Sequence, residues 1–292
     1  SLIYDPTHSA IYLGGNSGIF GAYNLDTNAT TNLSATDASD WINTSSVYAL
    51  AYDIVRNLTY IGTSRIINIA SGKFGFYNGT SGVADDLSDT DDGSGIGQVD
   101  ILALAHDSIR DLVYFGTTRG FYVYNHTANI TYNLSMTDHG AFVLNSGVIS
   151  IAYDANHDLV YLGGGSGKIG VYNRTSNITS SLISTDPGDW VGLNLASVQS
   201  MTYDSANNLV YIGTSDGGFG AINATFPTVN SVAANATINN THIGTDAFVV
   251  TTVFSESMSN TTNATVTFSP GVSTAITNCD SNWSAANTFT YT

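Results

Sequence analysis

The sequence predicts an all-β fold, and three observations support this prediction. Strand-forming and turn-forming residues dominate, with 17 Tyr, 29 Gly and 42% hydrophobic residues against only 10% charged residues. No window has convincing helical periodicity, whereas short alternating apolar segments bounded by Gly, Asn and Asp recur throughout. One phrase is also repeated five times along the chain, which indicates that the fold is built from repeated units.

The repeated phrase has the form AYDANHDLVYLGG, here quoted from Ala152, and its copies begin at Ile3, Ala51, Ala105, Ala152 and Thr202. Together with two further strand-like segments, each copy makes a repeat of roughly 50 residues with four strands, which is one blade of a β-propeller. Stacking blades radially covers their faces and leaves only short edges. We therefore predict a propeller of at least five blades in residues 1–225.

The two ends of this propeller are incomplete in the sequence. The first copy starts inside its first strand, and the fifth has no fourth strand after Asn223. Because a propeller ring closes by pairing strands from the two ends of the domain, we expect the ring to be completed outside this sequence.

Two phrases carry a resemblance to known proteins in the first part of the chain. IGTSDGGFGAIN from Ile212 and FGTTRGFYVYN from Phe115 resemble the blades of two-component-regulator-type sensor propellers. The resemblance covers about residues 1–224 and implies a fold much more than a function.

A second module is predicted for residues 226–292, where the repeat stops. The phrases VFSESMS from Val253 and TFTYT from Thr288 resemble the bacterial Ig-like domains of S-layer and other surface proteins. This resemblance implies an Ig-like β-sandwich, and the sequence ends before the last strands of such a sandwich.

N-glycosylation sequons are the strongest functional signal, because they are more than twice as frequent as chance predicts. Several recur at matched points of successive blades, so good turn chemistry is the competing explanation. Sequons in the unrelated second module favour glycosylation. The sixteen predicted sites are Asn28, Asn32, Asn43, Asn57, Asn78, Asn125, Asn129, Asn133, Asn173, Asn177, Asn223, Asn235, Asn239, Asn260, Asn263 and Asn282.

Charge and cysteine content restrict the function and the location. The net charge is −16 with only seven Lys and Arg, which argues against a nucleic-acid partner. A single cysteine, Cys279, allows no intrachain disulfide, and no apolar run is long enough to span a membrane. With the sequons, these features favour an extracellular surface protein of archaeal or bacterial type.

Metal and cofactor signals are weak. Asp89, Asp91 and Asp92 precede Gly93 and offer a possible calcium loop, although a solvated loop is the simpler interpretation because the acceptor Glu of an EF-hand loop is missing. None of the six histidines has metal-ligand spacing, and His106 replaces the tyrosine found before the aspartate in the other copies. We expect no other cofactor. The repeated aspartates themselves are predicted to form turns.

Three loop aromatics are candidate partner-binding residues. Trp41 and Trp190 follow the matched phrases TDASD and TDPGD, and Phe142 lies in the equivalent region of the third blade. Such side chains bind sugars or anchor a protein partner, but they serve equally well to cover the joint between two blades.

The leading functional hypothesis is a non-enzymatic structural or interaction glycoprotein of a cell surface, such as an S-layer, sheath, filament or adhesin subunit. It would bind itself or other surface proteins. The alternative is an extracellular sensor propeller that binds a sugar or peptide. A polysaccharide-active enzyme is the third possibility, and it is disfavoured because the sequence shows no set of catalytic residues.

Overall fold

The fold is described from a computed structural model, which describes residues 1–36, 41–42, 45–64, 72–88, 99–135, 147–182, 196–224, 229–234, 249–254, 281–285 and 288–291. The chain divides into two compact units, Ser1–Ala224 and Thr225–Thr292.

The first unit is a five-blade β-propeller arrangement, as the repeat predicts. Blade 1 consists of β1 (Leu2–Asp5), β2 (Ala10–Gly14), β3 (Phe20–Asn24) and β4 (Ala29–Asn32), and a short 3-10 helix (Ser34–Thr36) follows it. Blade 2 consists of β5 (Val47–Asp53), β6 (Leu58–Thr63), β7 (Phe74–Asn78) and β8 (Val83–Asp86). Blade 3 consists of β9 (Ile101–Asp107), β10 (Leu112–Thr117), β11 (Phe121–Asn125) and β12 (Ile130–Asn133).

Blade 4 consists of β13 (Val148–Asp154), β14 (Leu159–Gly164), β15 (Ile169–Asn173) and β16 (Ile178–Ser181). Blade 5 has three described strands, β17 (Val198–Asp204), β18 (Leu209–Thr214) and β19 (Phe219–Asn223). Within every blade, sequential strands are neighbours and run antiparallel, so each blade is a simple meander.

The repeated aspartate of each blade forms the turn between the first two strands, as predicted. Asp154 Oδ1, for example, accepts hydrogen bonds from the backbone N–H groups of Asn156 at 2.9 Å and His157 at 3.1 Å. The fourth residue after the aspartate adopts a left-handed conformation, which Asn and Asp tolerate better than most residues. These residues, with φ between 49° and 62°, are Ser9, Asn57, Asp111, Asp158 and Asn208.

One backbone hydrogen bond joins the two hairpin turns of every blade. The residue after the third strand donates its N–H to the carbonyl of the left-handed residue in the first turn. Examples are Leu25 to Ser9 at 2.7 Å and His126 to Asp111 at 3.1 Å. Both turns therefore lie at one end of each sheet, which we call the hairpin-turn face; the connections from one blade to the next leave from the opposite end.

The hydrophobic core lies between successive blades. Each of its four clusters combines residues of two adjacent blades, such as Tyr114 and Phe121 of blade 3 with Val148 and Leu162 of blade 4. A glycine in the second strand makes room for the next blade: a Cβ atom on Gly116 would lie 2.5 Å from Val148 Cγ1. Apolar residues on both faces of a strand thus become buried only when the next blade stacks on it.

Blade 5 shows what happens to a face without a stacked neighbour. Phe20, Phe74 and Phe121 open the third strands of blades 1–3 and are fully buried, whereas Phe219 at the same position is 77% exposed. In the described part of the chain, no further blade covers this face. The predicted completion of the ring remains a prediction.

The second unit contains one four-stranded antiparallel sheet. Its strands are β20 (Val229–Ala234), β21 (Val250–Phe254), β22 (Ser281–Ala285) and β23 (Thr288–Tyr291), in the order β20-β21-β23-β22. A sandwich requires a second sheet packed on the first, and the described residues of this unit form a single sheet. The Ig-like sandwich therefore has no support from the structure and remains a prediction.

Candidate functional site

The sequon asparagines of the hairpin-turn face take part in turns through their carbonyl oxygen. Asn78 Oδ1 accepts hydrogen bonds from the backbone N–H groups of Thr80 at 2.9 Å and Ser81 at 3.0 Å. Asn125 and Asn173 make the equivalent bond in blades 3 and 4. Asn24 makes it in blade 1 without being part of a sequon. The turn thus needs the asparagine but not the Ser or Thr two positions later.

A second set of sequon asparagines enters the fourth strand. Asn28, Asn129 and Asn177 are exposed and left-handed, with φ of 54°, 53° and 56°. Their Oδ1 atoms accept hydrogen bonds of 2.8–2.9 Å from the tyrosine hydroxyl groups five residues earlier. None of the three uses its Nδ2 atom in a hydrogen bond with a described residue. Because N-glycans in general are linked to asparagine through Nδ2, the turn role of Oδ1 and glycosylation are compatible at these sites.

Asn32 and Asn133, at the end of the fourth strand, also use the side-chain carbonyl oxygen in a turn. Both are exposed, and each Oδ1 accepts a hydrogen bond from the backbone N–H two residues later, at 2.9 and 2.8 Å.

Asn57 differs from the exposed sequon asparagines in its burial and in its hydrogen bonds. It is only 9% exposed, because it lies where blade 2 meets blade 1. Its Nδ2 donates a hydrogen bond of 2.8 Å to Thr80 Oγ1, and its Oδ1 accepts one from the Tyr52 hydroxyl at 2.9 Å. The atom that would carry the glycan is therefore already engaged.

Two of the remaining sequon asparagines lie in described strands, and the other five lie outside the described residues. Asn223 lies exposed at the end of β19, and Asn282 lies in β22. Asn43, Asn235, Asn239, Asn260 and Asn263 lie outside the described residues. The same holds for Phe142, Trp190 and the proposed calcium ligands Asp89, Asp91 and Asp92.

Trp41 is buried, which fits a blade joint and not a partner-binding surface. It is 4% exposed and packs with Tyr12, Phe20 and Tyr77 between blades 1 and 2. Its six-membered ring lies against Gly75, where a Cβ atom would come within 2.6 Å of Trp41 Cζ2. This burial favours the alternative that the sequence left open for Trp41, in which the indole covers the joint between two blades.

The joint between blades 2 and 3 contains a cluster of ionisable side chains, formed by Asp53, Arg56, His106 and Asp111. Arg56 Nη1 lies 2.6 Å from Asp111 Oδ1 and 3.4 Å from Asp53 Oδ2. His106 Nε2 lies 3.6 Å from Asp53 Oδ2, and only 6% of the His106 side chain is exposed. The potential metal-ligating atoms of Asp53, His106 and Asp111 all lie within 4.8 Å of one another.

The surroundings of this cluster are aromatic. The Tyr60 ring lies 5.8 Å from that of His106, and the Tyr60 hydroxyl is 2.8 Å from His126 Nδ1. Burial lowers the pKa of His106 more than the nearby carboxylates Asp53 and Asp111 raise it, so the imidazole is neutral over a wider pH range than in water. A neutral imidazole presents a lone pair that can bind a metal ion.

Sequence reasoning missed this cluster because Asp53 and Arg56 belong to blade 2 and His106 and Asp111 to blade 3. The two pairs meet only across the joint between these blades. One signal was visible, namely His106 at a position where the other copies have tyrosine.

The chain was also compared with known proteins. No protein-family model matches the sequence, and no curated protein matches it either. Among the described residues, no helix is long and apolar enough to cross a membrane.

Solved structures share the fold of this chain. An extracellular domain of the BT4673 one-component or hybrid two-component system from B. thetaiotaomicron aligns with a TM-score of 0.55 and 16% identity over 75% of this chain. The chain spans about a quarter of that protein's length, since the alignment covers 25% of it. A nidogen/laminin complex aligns with a TM-score of 0.51 and 14% identity over 73% of both chains.

A mitotic checkpoint complex aligns with a TM-score of 0.53 and 15% identity over 86% of this chain and 71% of the other. Identities this low show a shared fold alone, and the chain is similar to these structures as a β-propeller.

Proposed function

We propose that this chain is an extracellular recognition protein whose propeller binds a sugar or peptide ligand and does not catalyse a reaction. The observation that carries the proposal is the arrangement of the sequons on the hairpin-turn face. Exposed asparagines such as Asn28, Asn129 and Asn177 form no hydrogen bond through Nδ2 with the described residues there. Glycans at these positions would crowd one end of the blades, whereas the opposite end, where Asn32 and Asn133 close the fourth strand, carries fewer predicted sites and is more open to a ligand.

The similarity to an extracellular sensor domain supports this proposal. It favours ligand recognition over a purely structural role, because sensor domains convert the binding of a small molecule or peptide into a signal. The connections from one blade to the next are the longest of the propeller and leave from the end opposite the hairpin-turn face. Loops of this kind commonly carry binding residues on a rigid scaffold.

The test is a binding screen of the glycosylated chain on glycan and peptide arrays, followed by titration of each positive ligand. Trp190 lies in the connection between blades 4 and 5, and we expect Trp190→Ala to weaken binding at least tenfold if the loops hold the ligand. Tyr132→Ala, which removes an exposed aromatic side chain from the outer strand β12, is the matched control and leaves binding unchanged. Equal affinities of both variants and the wild type would contradict the proposed ligand face.

A second candidate function is an assembling surface glycoprotein, and the density of sequons in both units favours it. Propellers also occur in protein complexes, as the nidogen/laminin and checkpoint structures illustrate. Light scattering of the native glycosylated protein across a concentration series separates the two proposals. Ordered self-association without any array ligand supports assembly, and a monomer with a ligand supports recognition.

A further inference from the structure

One joint of the propeller differs from the others at the position before the blade aspartate. Tyrosine fills this position at the other described joints, and its hydroxyl group forms hydrogen bonds there, such as Tyr203 to Asn208 Oδ1 at 2.9 Å. Between blades 2 and 3 the residue is His106. Its side chain is more than nine-tenths buried, and Nε2 has no hydrogen-bond partner among the described residues. A buried polar atom without a partner is costly and calls for an explanation.

We propose that Asp53, His106 and Asp111 form a binding site for a divalent transition-metal ion of the zinc class. The distance between two of the ligand atoms is close to the value expected for such an ion. The separation of 3.6 Å between His106 Nε2 and Asp53 Oδ2 is too long for a hydrogen bond. Two ligand atoms on one tetrahedral zinc ion, with bonds of about 2.0–2.1 Å, lie about 3.3–3.4 Å apart. One imidazole and two carboxylates make a ligand set that zinc accepts, with a fourth position for water.

Hydrogen bonds already orient both carboxylates for this role. Asp53 Oδ1 accepts bonds from the backbone N–H groups of Val55 at 2.8 Å and Arg56 at 3.1 Å, which leaves Oδ2 facing His106. Asp111 Oδ2 accepts a bond of 2.8 Å from the Thr127 hydroxyl, which leaves Oδ1 facing Arg56. Such outer hydrogen bonds fix the direction of metal ligands and reduce the entropic cost of binding.

The charge of the joint leaves room for a further cation. At the next joint, Asp107 and Asp158 contact two guanidinium groups, those of Arg110 and Arg174. Within the described residues, the only guanidinium group that Asp53 and Asp111 contact is that of Arg56. Two carboxylates and one guanidinium leave a net negative charge, which attracts a divalent cation.

Arg56 and the metal ion would compete for the same oxygen atoms. The Arg56 guanidinium contacts both Asp53 Oδ2 and Asp111 Oδ1. About a third of the side chain is exposed, at 37%, so the guanidinium can turn into the solvent when a metal ion binds. Removing the Arg56 charge should therefore increase the affinity of the site for the metal ion.

The experiment is a calorimetric titration of the complete chain with Zn²⁺ after treatment with a chelator, repeated with Co²⁺ to record the absorption of a tetrahedral site. We expect one equivalent to bind. His106→Tyr introduces the residue of the other joints, so it keeps the fold, and we expect it to abolish binding. Arg56→Gln strengthens binding several-fold. His157→Asn is the matched control, because it removes an exposed histidine whose Nδ1 lies 2.7 Å from the buried Asp154 Oδ2 in blade 4, and it leaves binding unchanged.

Three results would overturn the site. These are Zn²⁺ binding by His106→Tyr with wild-type affinity, loss of binding in His157→Asn, or no Zn²⁺ binding by either the wild type or Arg56→Gln. The Arg56→Gln arm keeps the proposal testable if His106→Tyr fails to fold. None of these measurements depends on a sugar or peptide ligand, so they are independent of the proposed recognition function.

Discussion

Arg56 of blade 2 contacts Asp111 of blade 3 with 2.6 Å between Nη1 and Oδ1, and the same pair of positions is occupied at the neighbouring joints. Arg110 meets Asp158 at 3.0 Å, and His8 lies 3.5 Å from Asn57. An arginine thus faces an aspartate, and a histidine faces an asparagine. Each of the two arginines thus neutralises a partly buried carboxylate of the following blade.

We expect the Arg110–Asp158 pair to stabilise the joint between blades 3 and 4 modestly. Both side chains are partly exposed, so a double-mutant cycle of Arg110→Ala and Asp158→Ala should give a coupling free energy of about 0.5–1 kcal/mol that decreases with added salt. Urea denaturation provides the measurement. Arg119→Ala is the control, because Arg119 is exposed and makes no ion pair with a described residue. A coupling of zero at low salt would contradict the pairing.

Glycine at the blade joint is predicted to be a steric requirement. In Gly116→Ala, the new Cβ would lie 2.5 Å from Val148 Cγ1 and 2.6 Å from its carbonyl oxygen. The blades would have to separate, and we expect a loss of about 1–3 kcal/mol in the free energy of unfolding.

Gly213→Ala is the matched variant in blade 5. There, among the described residues, the new Cβ would meet only the Ser200 Oγ atom at 2.7 Å, and a hydroxyl group can rotate away. Thermal melts should therefore rank Gly213→Ala close to the wild type and Gly116→Ala clearly below it. Equal melting temperatures of the two variants would show that blade stacking does not impose the constraint.

Trp41→Ala should destabilise the propeller and leave association with any partner unchanged. The indole fills the joint between blades 1 and 2, and truncation of a buried aromatic side chain costs about 3–5 kcal/mol. Calorimetry and light scattering on the same variant measure both effects. Tyr132→Ala, at an exposed position, should change the stability by no more than about 0.5 kcal/mol. Weakened association at an unchanged melting temperature would restore Trp41 as a surface anchor.

Sequon occupancy should follow the state of Nδ2 and not the sequence motif alone. We expect glycans on the exposed residues Asn28, Asn129 and Asn177, and an unmodified Asn57. Intact-glycopeptide mass spectrometry of the protein from its natural source gives the occupancy of each site. A glycan on Asn57, or bare side chains at the three exposed sites, would contradict this prediction.

Asp5 should contribute to stability in a pH-dependent manner. Burial raises its pKa, but hydrogen bonds from Tyr52, His8 and the backbone N–H groups of His8 and Thr7 outweigh burial, so the folded pKa lies below 3.8. The folded protein therefore releases this proton more readily than the unfolded chain. The resulting stabilisation is complete above the unfolded pKa and is lost as the pH falls through the folded value.

We accordingly expect Asp5→Asn to be less stable than the wild type at pH 6, by roughly 1–3 kcal/mol. The difference should shrink between pH 5 and pH 3, and denaturant titrations at pH 6, 5, 4 and 3 provide the measurement. A difference that is constant or grows towards acid would show that the Asp5 carboxylate is not selectively stabilised in the fold.

The local structure could be predicted from sequence because it depends on neighbouring residues. Asp154 forms a turn with the two residues that follow it, and alternation defines strands such as Val148–Asp154. The repeat then predicts the blades, since each copy encodes the same meander. The second unit lacks such a repeat. The Ig-like sandwich was predicted from the resemblance of two short phrases, and the single described sheet gives it no support.

Burial, in contrast, was decided by contacts between blades. Asn57 and Asn28 are both sequon asparagines, yet only Asn57 is covered by a neighbouring blade. The sequence left open whether Trp41 binds a partner or covers a blade joint, and it showed His106 only as a single substitution in a repeat. Their environments depend on residues about 50 positions away in the next blade, whose approach depends on the packing of whole sheets. The sequence by itself therefore determined the blade, whereas only the tertiary structure decided which polar side chains meet at a joint and which remain in solvent.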